Sequence, residues 1–240
     1  MRFAVVSDPH FGNPARLVTC PIQAFVTAVA TSDFGVVTGD LTDAGYDGTV
    51  TCGCLFPLLG ANNAVSGGSL ENQLAEFVAA VIEPIQRVGK TVYLVPGNHD
   101  QYNGASRHPV NDYIARAHGC THYAVRRGGI LLLFCDVYPS AAVLAWMKGE
   151  LRSCGTEPVL LFFHYNFTGP FGDWWTDAEK EAFRLAITGV RVLGIFVGHR
   201  HESYAETWNG YAVYSTAGST FAVCEATTEA GGRLSVTFTK

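Results

Sequence analysis

Short apolar runs that alternate with longer amphipathic segments are the feature that most restricts the fold of this chain. The runs are four to six residues long and rich in β-branched and aromatic side chains, which favours buried strands. The segments between them carry apolar residues at the spacing of a helix that buries one face. This strand–helix alternation predicts an α/β fold with partly parallel sheets.

Eight strands are predicted from the runs. Six of them are Phe3–Ser7, Gly35–Thr38, Thr91–Val95, Ile130–Cys135, Val159–Phe163 and Leu193–Val197. The last two, Tyr211–Ser215 and Leu234–Thr239, are separated by a glycine-containing turn region, so these two could pair as antiparallel strands.

Four helices are predicted between the strands: Pro21–Thr31, Ser69–Val88, Ser140–Leu151 and Thr176–Thr188. Pro84 is expected to kink or end the second helix, because its ring clashes with the preceding turn. Thr176 and Glu179 have the spacing of a capping box, which predicts the start of the last helix.

Length and composition suit a single domain of residues 1–240. The 240 residues are 48% apolar and 15% charged, which is enough for a sizeable core and too few charges for a disordered chain. A net charge of −5 argues against general nucleic-acid binding. The glycine- and asparagine-rich segment 41–68 interrupts the alternation, and it is interpreted either as a cap over a site or as an ordinary insertion.

Cysteine usage favours a cytoplasmic protein. The seven cysteines are scattered, and no second pair matches Cys52 and Cys54, so free or buried thiols in a reducing compartment are expected. The apolar run before Asp8 is too short for a signal peptide, and Ile130–Cys135 is too short to span a bilayer.

Polar side chains that could bind an ion follow five of the predicted strands. They are Asp8 and His10, Asp40, Asn98, His164, and His199 with His201. Functional sites of α/β proteins form at the carboxyl ends of strands, where loops converge over a rigid sheet. Five of the eight histidines, His99 included, lie in these segments. Histidines with only structural roles would be scattered and would not concentrate after the strands.

The residue types and spacings predict a metal centre. Asp8 and His10, like His199 and His201, are two residues apart and would point the same way on an extended chain. Gly39, Gly97 and Gly198 would let the backbone turn sharply near an ion. Oxygen and imidazole ligands suit zinc, manganese, iron or nickel, whereas a structural zinc site would use cysteine thiolates.

The order of these segments resembles the calcineurin-like metallophosphoesterase superfamily. The motifs are D-P-H, G-D-L-T-D, G-N-H-D, F-H-Y-N and G-H-R-H, which together extend over residues 8–201. The resemblance implies two mixed β-sheets packed as a sandwich and flanked by helices, which gives four layers in the order αββα. It also implies a dinuclear metal centre at one edge and metal-dependent hydrolysis of phosphoester bonds.

The same resemblance implies two sets of metal ligands that share one bridging carboxylate, Asp40. The first set is Asp8, His10, Asp40 and His201, and the second is Asp40, Asn98, His164 and His199. The ions would be two divalent or trivalent cations of manganese, iron, zinc or nickel. They would activate a hydroxide for attack on phosphorus.

Five further residues receive roles. By resemblance, His99 would stabilise the transition state or protonate the leaving oxygen, and Asp100 would orient His99. Asp43 either supports the Asp40 loop or only stabilises a turn. Where many family members have a second histidine and a proline, this chain has Tyr165 and Asn166, which are interpreted as candidate substrate contacts.

The aromatic segment beside His164 leaves two interpretations open. It could form a hydrophobic wall for an organic group of the substrate, or an aromatic plug that packs the loop on the core. Arg200 lies between two candidate ligands, and strand alternation points it away from the metals, so a structural role is expected.

The leading functional hypothesis is hydrolysis of small phosphodiesters, followed by phosphomonoesters. A nuclease would need a basic groove or a stacking surface, and Arg126–Arg127 is the only basic cluster. A non-catalytic scaffold would be expected to lack ligands, yet all seven ligand positions are filled. The expected partner is therefore a small phosphoester substrate.

Overall fold

The computed structural model describes residues 1–13, 21–43, 70–101, 108–216, 220–228 and 232–240. Most of the segment 41–68, interpreted above as a cap or an insertion, lies outside these residues. Within them the chain forms eleven strands: β1 (Arg2–Val6), β2 (Phe34–Thr38), β3 (Thr91–Val95), β4 (His122–Arg127), β5 (Ile130–Cys135), β6 (Val159–Phe162), β7 (Val192–Val197), β8 (Tyr204–Trp208), β9 (Tyr211–Ser215), β10 (Phe221–Thr227) and β11 (Arg233–Thr239).

The strands form two mixed sheets. The first has the order β11-β10-β1-β2-β3, with β1, β2 and β3 parallel to one another. The second has the order β4-β5-β6-β7-β9-β8, with β5, β6, β7 and β9 parallel. Parallel neighbours end at the same edge of a sheet, so the loops after β1, β2 and β3 converge, as do those after β6 and β7.

Helices flank both sheets. They are α1 (Ile22–Ala30), α2 (Leu70–Phe77), α3 (Glu83–Arg87), α4 (Pro109–His118), α5 (Ala141–Ser153) and α6 (Asp177–Ile187). The predicted capping box is confirmed, because the Thr176 hydroxyl accepts from Glu179 N and the Glu179 carboxylate accepts from Thr176 N. A one-turn π-helix, Val78–Ile82, joins α2 to α3 directly before Pro84. Of the two outcomes expected at Pro84, an end of the helix is not found, because a wider turn precedes the proline and the helical path continues into α3. A kink at this position stays a prediction.

The core lies between the sheets and behind the second one. Phe3 of the first sheet packs edge-on against Phe162 and Phe196 of the second, at ring-centroid distances of 6.1 and 5.6 Å. Strand β5 is buried on both faces: alternate residues face the first sheet or pack with α5 and α6. A strand buried on both faces is continuously apolar, which explains why Ile130–Cys135 shows no alternation of polar residues.

The predicted fold class is confirmed, and the eight predicted strands agree with the structure to within one residue at each end. The suggested pairing of Tyr211–Ser215 with Leu234–Thr239 is wrong, because β9 lies in the second sheet and β11 in the first. Three strands, β4, β8 and β10, and helix α4 were not predicted. Strands β4 and β8 mix polar and apolar residues at an exposed edge, so their apolar signal is weak.

Two smaller expectations can be compared with the described residues. Cys120, Cys135, Cys154 and Cys224 are free thiols, and the other three cysteines lie outside the described ranges. Among the helices that the structure describes, each is too short or too polar to cross a membrane.

Candidate metal centre

The loops after five strands bring the predicted ligands together between the two sheets. The first sheet supplies Asp8, His10, Asp40 and Asn98 after β1, β2 and β3, and the second supplies His164, His199 and His201 after β6 and β7. The parallel pairing of β1 with β2 continues into the loops, since Asp8 N donates to Gly39 O at 3.1 Å and His10 N to Asp40 O at 3.0 Å. The sheet geometry therefore fixes the relative position of these loops.

One cluster contains Asp8, His10, Asp40 and His201, whose ligand atoms all lie within 4.8 Å of one another. His201 Nε2 is 3.1 Å from Asp8 Oδ1 and 3.1 Å from His10 Nε2. His10 Nε2 is 3.6 Å from Asp40 Oδ2. Two carboxylates and two imidazoles thus face one point.

A second cluster contains Asp40, His164 and His199, again within 4.8 Å. His164 Nε2 lies 3.3 Å from Asp40 Oδ2 and 3.0 Å from Asn98 Oδ1, so the amide joins the cluster. The two clusters share Asp40 and coincide with the two ligand sets that the resemblance implies.

Three imidazoles point Nε2 at the clusters and Nδ1 at a protein acceptor. His164 Nδ1 is 2.8 Å from Thr38 O, His99 Nδ1 is 2.5 Å from Asp43 O, and His10 Nδ1 is 3.2 Å from Asp43 Oδ1. Carbonyl oxygens only accept, so Nδ1 of His164 and Nδ1 of His99 carry the proton that faces them. When the ring is neutral, the lone pair is then on Nε2, as a metal-binding histidine requires. His10 Nδ1 lies at ion-pair distance from the Asp43 carboxylate without the geometry of a hydrogen bond.

The buried charges shift one another's pKa values. Burial alone would raise the pKa of Asp8, but the charge of His201 and its hydrogen bond lower it to about 2. Burial alone would lower the pKa of His164, but the negative charge of Asp40 and its hydrogen bond raise that pKa to about 9. Burial, reinforced by the charge of His164, lowers the pKa of His199 to about 3. A cation at the second cluster would therefore displace a proton from His164.

Five of the seven candidate ligands have left-handed backbone. Their φ angles are 57° for Asp8, 47° for His10, 51° for Asp40, 70° for His199 and 55° for His201. The expectation that Asp8 with His10, and His199 with His201, share an extended strand is therefore wrong. The strands end before these residues, and the backbone at each of them is left-handed and not extended. Aspartate and histidine are among the non-glycine residues that tolerate this conformation best, and such strain concentrates at functional sites.

Two motif glycines permit the close packing of the clusters. A Cβ atom on Gly97 would overlap the carboxylate and backbone N of Asp40, and one on Gly39 would overlap the His164 ring. Gly39 also has a φ of 95°, which favours glycine. These glycines are therefore needed where side chains of the centre lie against the backbone, as the sequence predicted.

Asp100 does not have the position expected for it. Its Oδ1 accepts from Thr42 N at 2.9 Å and from the Thr42 hydroxyl at 2.8 Å, and its Oδ2 accepts from Leu41 N at 3.1 Å and Gly97 N at 2.8 Å. Burial, followed by the charge of Asp40, raises the pKa of Asp100 to about 6. Asp100 thus links the loops after β2 and β3 through its hydrogen bonds to Leu41, Thr42 and Gly97. None of these bonds is to the ring of His99.

Asp43 contacts the rings of both His99 and His10. Its carbonyl holds His99 Nδ1 and its carboxylate holds His10 Nδ1, as described above. The backbone N of Asp43 donates to Gln73 on α2, at 3.1 Å, and Asn13 donates to its carboxylate at 3.3 Å. Of the two interpretations for Asp43, these contacts favour support of the site.

The aromatic segment after His164 divides into two parts. Phe167 and Trp175 are 3% and 1% exposed and pack in the core behind the second sheet. Tyr165, Phe171 and Trp174, which we call the aromatic wall, instead lie against the His199 ring.

Asn166 is buried within its own loop. Its side chain is fully buried, and its Nδ2 donates to Thr168 O at 2.6 Å and Pro170 O at 2.9 Å. Its carbonyl accepts from the Trp175 indole at 2.9 Å. Its Oδ1 is buried without a hydrogen-bond partner among the described residues. The bonds of Nδ2 brace the loop, and the full burial of the side chain argues against the substrate contact expected for Asn166.

Arg200 has the structural surroundings expected for it. Its guanidinium lies 5.0 Å from the centre of the Tyr204 ring, and its Nε is 2.8 Å from Glu202. These contacts direct the charge of Arg200 to groups outside the two clusters.

The residues of the two clusters fit a pair of divalent cations. Asp40 Oδ2 and His199 Nε2 are buried and, within the part of the chain that the structure describes, have no hydrogen-bond partner. Buried polar atoms without a partner are costly, and a bound ion would satisfy both. The mixed oxygen and imidazole donors suit borderline transition metals.

Comparisons with solved structures agree with this fold. A dimetal phosphatase from Danio rerio is 14% identical, with a TM-score of 0.63 and coverage of 98% of each chain. A putative 5′-nucleotidase from Staphylococcus aureus is 14% identical, with a TM-score of 0.55, over 98% of this chain and 52% of that one. GAP50, the anchor in the inner membrane complex of Plasmodium, is 12% identical, with a TM-score of 0.55, over 99% of this chain and 84% of that one.

Sequence comparison identifies the family directly. No curated protein matches the chain significantly. The family model for calcineurin-like phosphoesterases, however, matches residues 1–203, which is most of the chain. This match includes every residue of both clusters, and the chain therefore belongs to the calcineurin-like phosphoesterase family.

Proposed function

We propose that this metallophosphoesterase hydrolyses small phosphodiesters in preference to monoesters, at a dinuclear centre made by the two clusters. The observation that carries the proposal is the meeting of seven buried or half-buried ligand residues, six of them around the shared Asp40, with His99 beside them. The proposed ligands of the first ion are Asp8, His10, Asp40 and His201, and those of the second are Asp40, Asn98, His164 and His199. Two such cations, when bound, supply a lowered pKa for water and positive charge for the phosphoryl oxygens.

His99 is the proposed proton donor or transition-state contact. Its Nδ1 is held by the Asp43 carbonyl, and its Nε2 lies 4.0 Å from Asp40 Oδ2. The side chain is 14% exposed, so part of the ring faces solvent while its Nδ1 is held. In this role His99 would be an imidazolium, with one proton on Nδ1 facing the Asp43 carbonyl and a second on Nε2 for the leaving oxygen. Asp43 would position the ring.

The preference for diesters rests on charge as well as on resemblance to the smaller bacterial phosphodiesterases of the superfamily. Among the described residues, the ion pairs of Asp8, Asp40 and Asp43 are all with histidines, and none is with lysine or arginine. A monoester dianion would find no permanent side-chain cation among these contacts. A diester carries one negative charge less than a monoester dianion. It therefore needs less positive charge from side chains and suits this site better.

Removal of the metal ions is expected to abolish hydrolysis. Purified protein should contain about two transition-metal ions per chain, and chelation should remove them together with activity. Added Mn²⁺ should restore turnover of bis-p-nitrophenyl phosphate, with a higher kcat/KM than for p-nitrophenyl phosphate. Metal content by mass spectrometry and release of nitrophenol are the measurements. Activity that survives complete chelation, or failure to bind metal under any loading condition, would refute the proposal.

Replacement of His99 by alanine should lower turnover without removing the ions. A positioned general acid contributes about 10²- to 10⁴-fold, so kcat for bis-p-nitrophenyl phosphate is expected to fall at least tens-fold. Metal content should stay at the wild-type value, because His99 belongs to neither proposed ligand set. His118→Ala is the matched control, since this ring stacks on Tyr123 at 3.8 Å, away from the clusters. Loss of metal from His99→Ala would show instead that His99 is a ligand.

A further inference from the structure

Three aromatic rings surround the outer side of the second cluster. The rings of Tyr165, Phe171 and Trp174 lie 4.8, 5.4 and 4.5 Å from the His199 ring, centroid to centroid. His199 is itself a proposed ligand, and its Nε2 is buried without a hydrogen-bond partner in the described part of the chain. An organic group attached to a phosphoryl group at this cluster would therefore meet the aromatic wall.

The exposure of the wall distinguishes it from the core. Trp174 is 42% exposed, whereas its neighbour Trp175 is 1% exposed. Tyr165 and Phe171 are half-buried. A large aromatic side chain usually contributes to stability by being buried, so an indole held at the surface beside a metal cluster gains little from its position. The interpretation of the segment as an aromatic plug that packs on the core thus explains Phe167 and Trp175, but it does not explain the aromatic wall.

The backbone of the wall is strained. Phe171 has a φ of 63°, in the left-handed region. A bulky non-glycine residue in this region is an outlier, because its Cβ atom crowds the backbone. Phe171 is followed by a short 3₁₀ turn that ends in Trp174, so this conformation sets the direction of both rings. Strain of this kind is typical of ligand-binding sites.

The wall and His99 pack against different clusters. His99 packs against His10 of the first cluster at 4.6 Å, while the wall packs against His199, which neighbours His164 of the second cluster at 5.0 Å. If His99 serves the leaving oxygen, the wall is placed for the other organic group. A monoester has no such group, and a diester does.

We propose that the aromatic wall binds a planar aromatic group on the non-leaving side of a phosphodiester. The proposal rests on the function proposed above and narrows it to diesters that carry an aryl or nucleobase-like ring. Trp174 and Tyr165 meet edge to face, at 5.6 Å and 81°, so a flat ring could stack on one and meet the edge of the other. Both arrangements are the preferred geometries of aromatic pairs.

The test compares two substrates with the same leaving group. Bis-p-nitrophenyl phosphate carries an aryl non-leaving group, and methyl p-nitrophenyl phosphate carries a methyl group. For Trp174→Ala, KM of the aryl diester should rise about 5- to 100-fold, the range for loss of one stacked ring, with kcat little changed. KM of the methyl diester should change less than about twofold. Because each variant is compared with wild type on the same substrate, intrinsic reactivity cancels.

Two further variants separate binding from stability. Phe171→Gly removes a ring and also relieves the left-handed strain, so it should raise KM for the aryl diester while the melting temperature stays or rises. Trp146→Ala is the tryptophan control, because Trp146 lies on α5 against His122, at 4.9 Å. It should leave KM of both diesters unchanged. Metal content should match wild type in all three variants.

A binding measurement completes the test without turnover. Phenylphosphonate, a stable aryl analogue, should quench the tryptophan fluorescence of the metal-loaded wild type, and Trp174→Ala should lose most of that quenching. If the ratio of KM values for the two diesters is the same in Trp174→Ala as in wild type, the wall proposal is overturned. The proposed function is not affected by that result, because hydrolysis itself would persist. If metal-loaded wild type cleaves neither diester, the proposed function fails, and the wall proposal fails with it.

Discussion

Replacing Asp40 by alanine is expected to abolish both cation binding and hydrolysis. Asp40 is the carboxylate that both clusters share, and its Oδ2 lies 3.3 Å from His164 Nε2 and 3.6 Å from His10 Nε2. Its removal deprives both proposed ions of a negative charge at once. Loss of a group that only orients a ligand costs about 10- to 100-fold in affinity, so loss of the shared ligand should cost more than about 10³-fold in turnover.

Asp40→Asn is the more informative of two Asp40 variants, because it keeps the shape of the side chain. Its amide oxygen could still accept from His99 N, which donates to Asp40 Oδ1 at 2.9 Å. The chain should therefore fold, while the bridging charge is lost. Metal content, kcat for bis-p-nitrophenyl phosphate and melting temperature are measured together, with Asp112→Asn on the exposed side of α4 as control. Two ions bound to Asp40→Asn with wild-type affinity would exclude a bridging role.

Replacing Asp100 is expected to have the largest effect on stability. Both oxygens of its fully buried carboxylate accept two hydrogen bonds each, from Thr42, Leu41 and Gly97. An asparagine must turn its NH₂ group towards backbone donors in either orientation, so Asp100→Asn is not a conservative change. A buried donor left unpaired costs about 1–3 kcal/mol, and Asp100→Asn should therefore cost about 2–4 kcal/mol.

The measurement is thermal unfolding of the metal-free protein, so that loss of ions does not add to the effect. For a chain of this size, about 3 kcal/mol corresponds to a fall of about 6–12 °C in Tm. Asp112→Asn, an exposed change of the same chemistry, should shift Tm by less than about 2 °C. If Asp100→Asn has the same Tm as wild type, the four hydrogen bonds do not contribute to stability as their geometry implies.

Much of the fold and most of the site residues follow from the sequence for a simple reason. Buried parallel strands are continuous apolar runs, so the polar residue that ends each run marks the carboxyl end of a strand. Asp8, Asp40 and His164 are all found in this way, and topology then brings them to one edge. The histidines that remain, such as His118 and His122, lie against aromatic rings elsewhere.

The contacts of Asp43 and Asp100 could not be predicted, because they depend on how loops turn after the strands end. Asp100 adjoins His99 in sequence, but the 3₁₀ turn His99–Gln101 directs the two side chains to different surroundings. Asp43 is far from His99 in sequence and meets it only after the β2 loop folds back. The left-handed backbone of the ligands was equally hidden, although aspartate and histidine beside glycine are a weak signal for it.

The origin of the ligands in both sheets has a mechanical consequence. Asp8 and Asp40 follow strands of the first sheet, while His164 and His201 follow strands of the second. An ion at either cluster would thus crosslink the sandwich at one edge, and its binding free energy would resist separation of the sheets. At a hundredfold excess over Kd this contributes about 2.7 kcal/mol per ion. Amide hydrogen exchange at the carboxyl ends of β1 and β7 should therefore slow on metal loading, making the cofactor part of the cooperative folding unit.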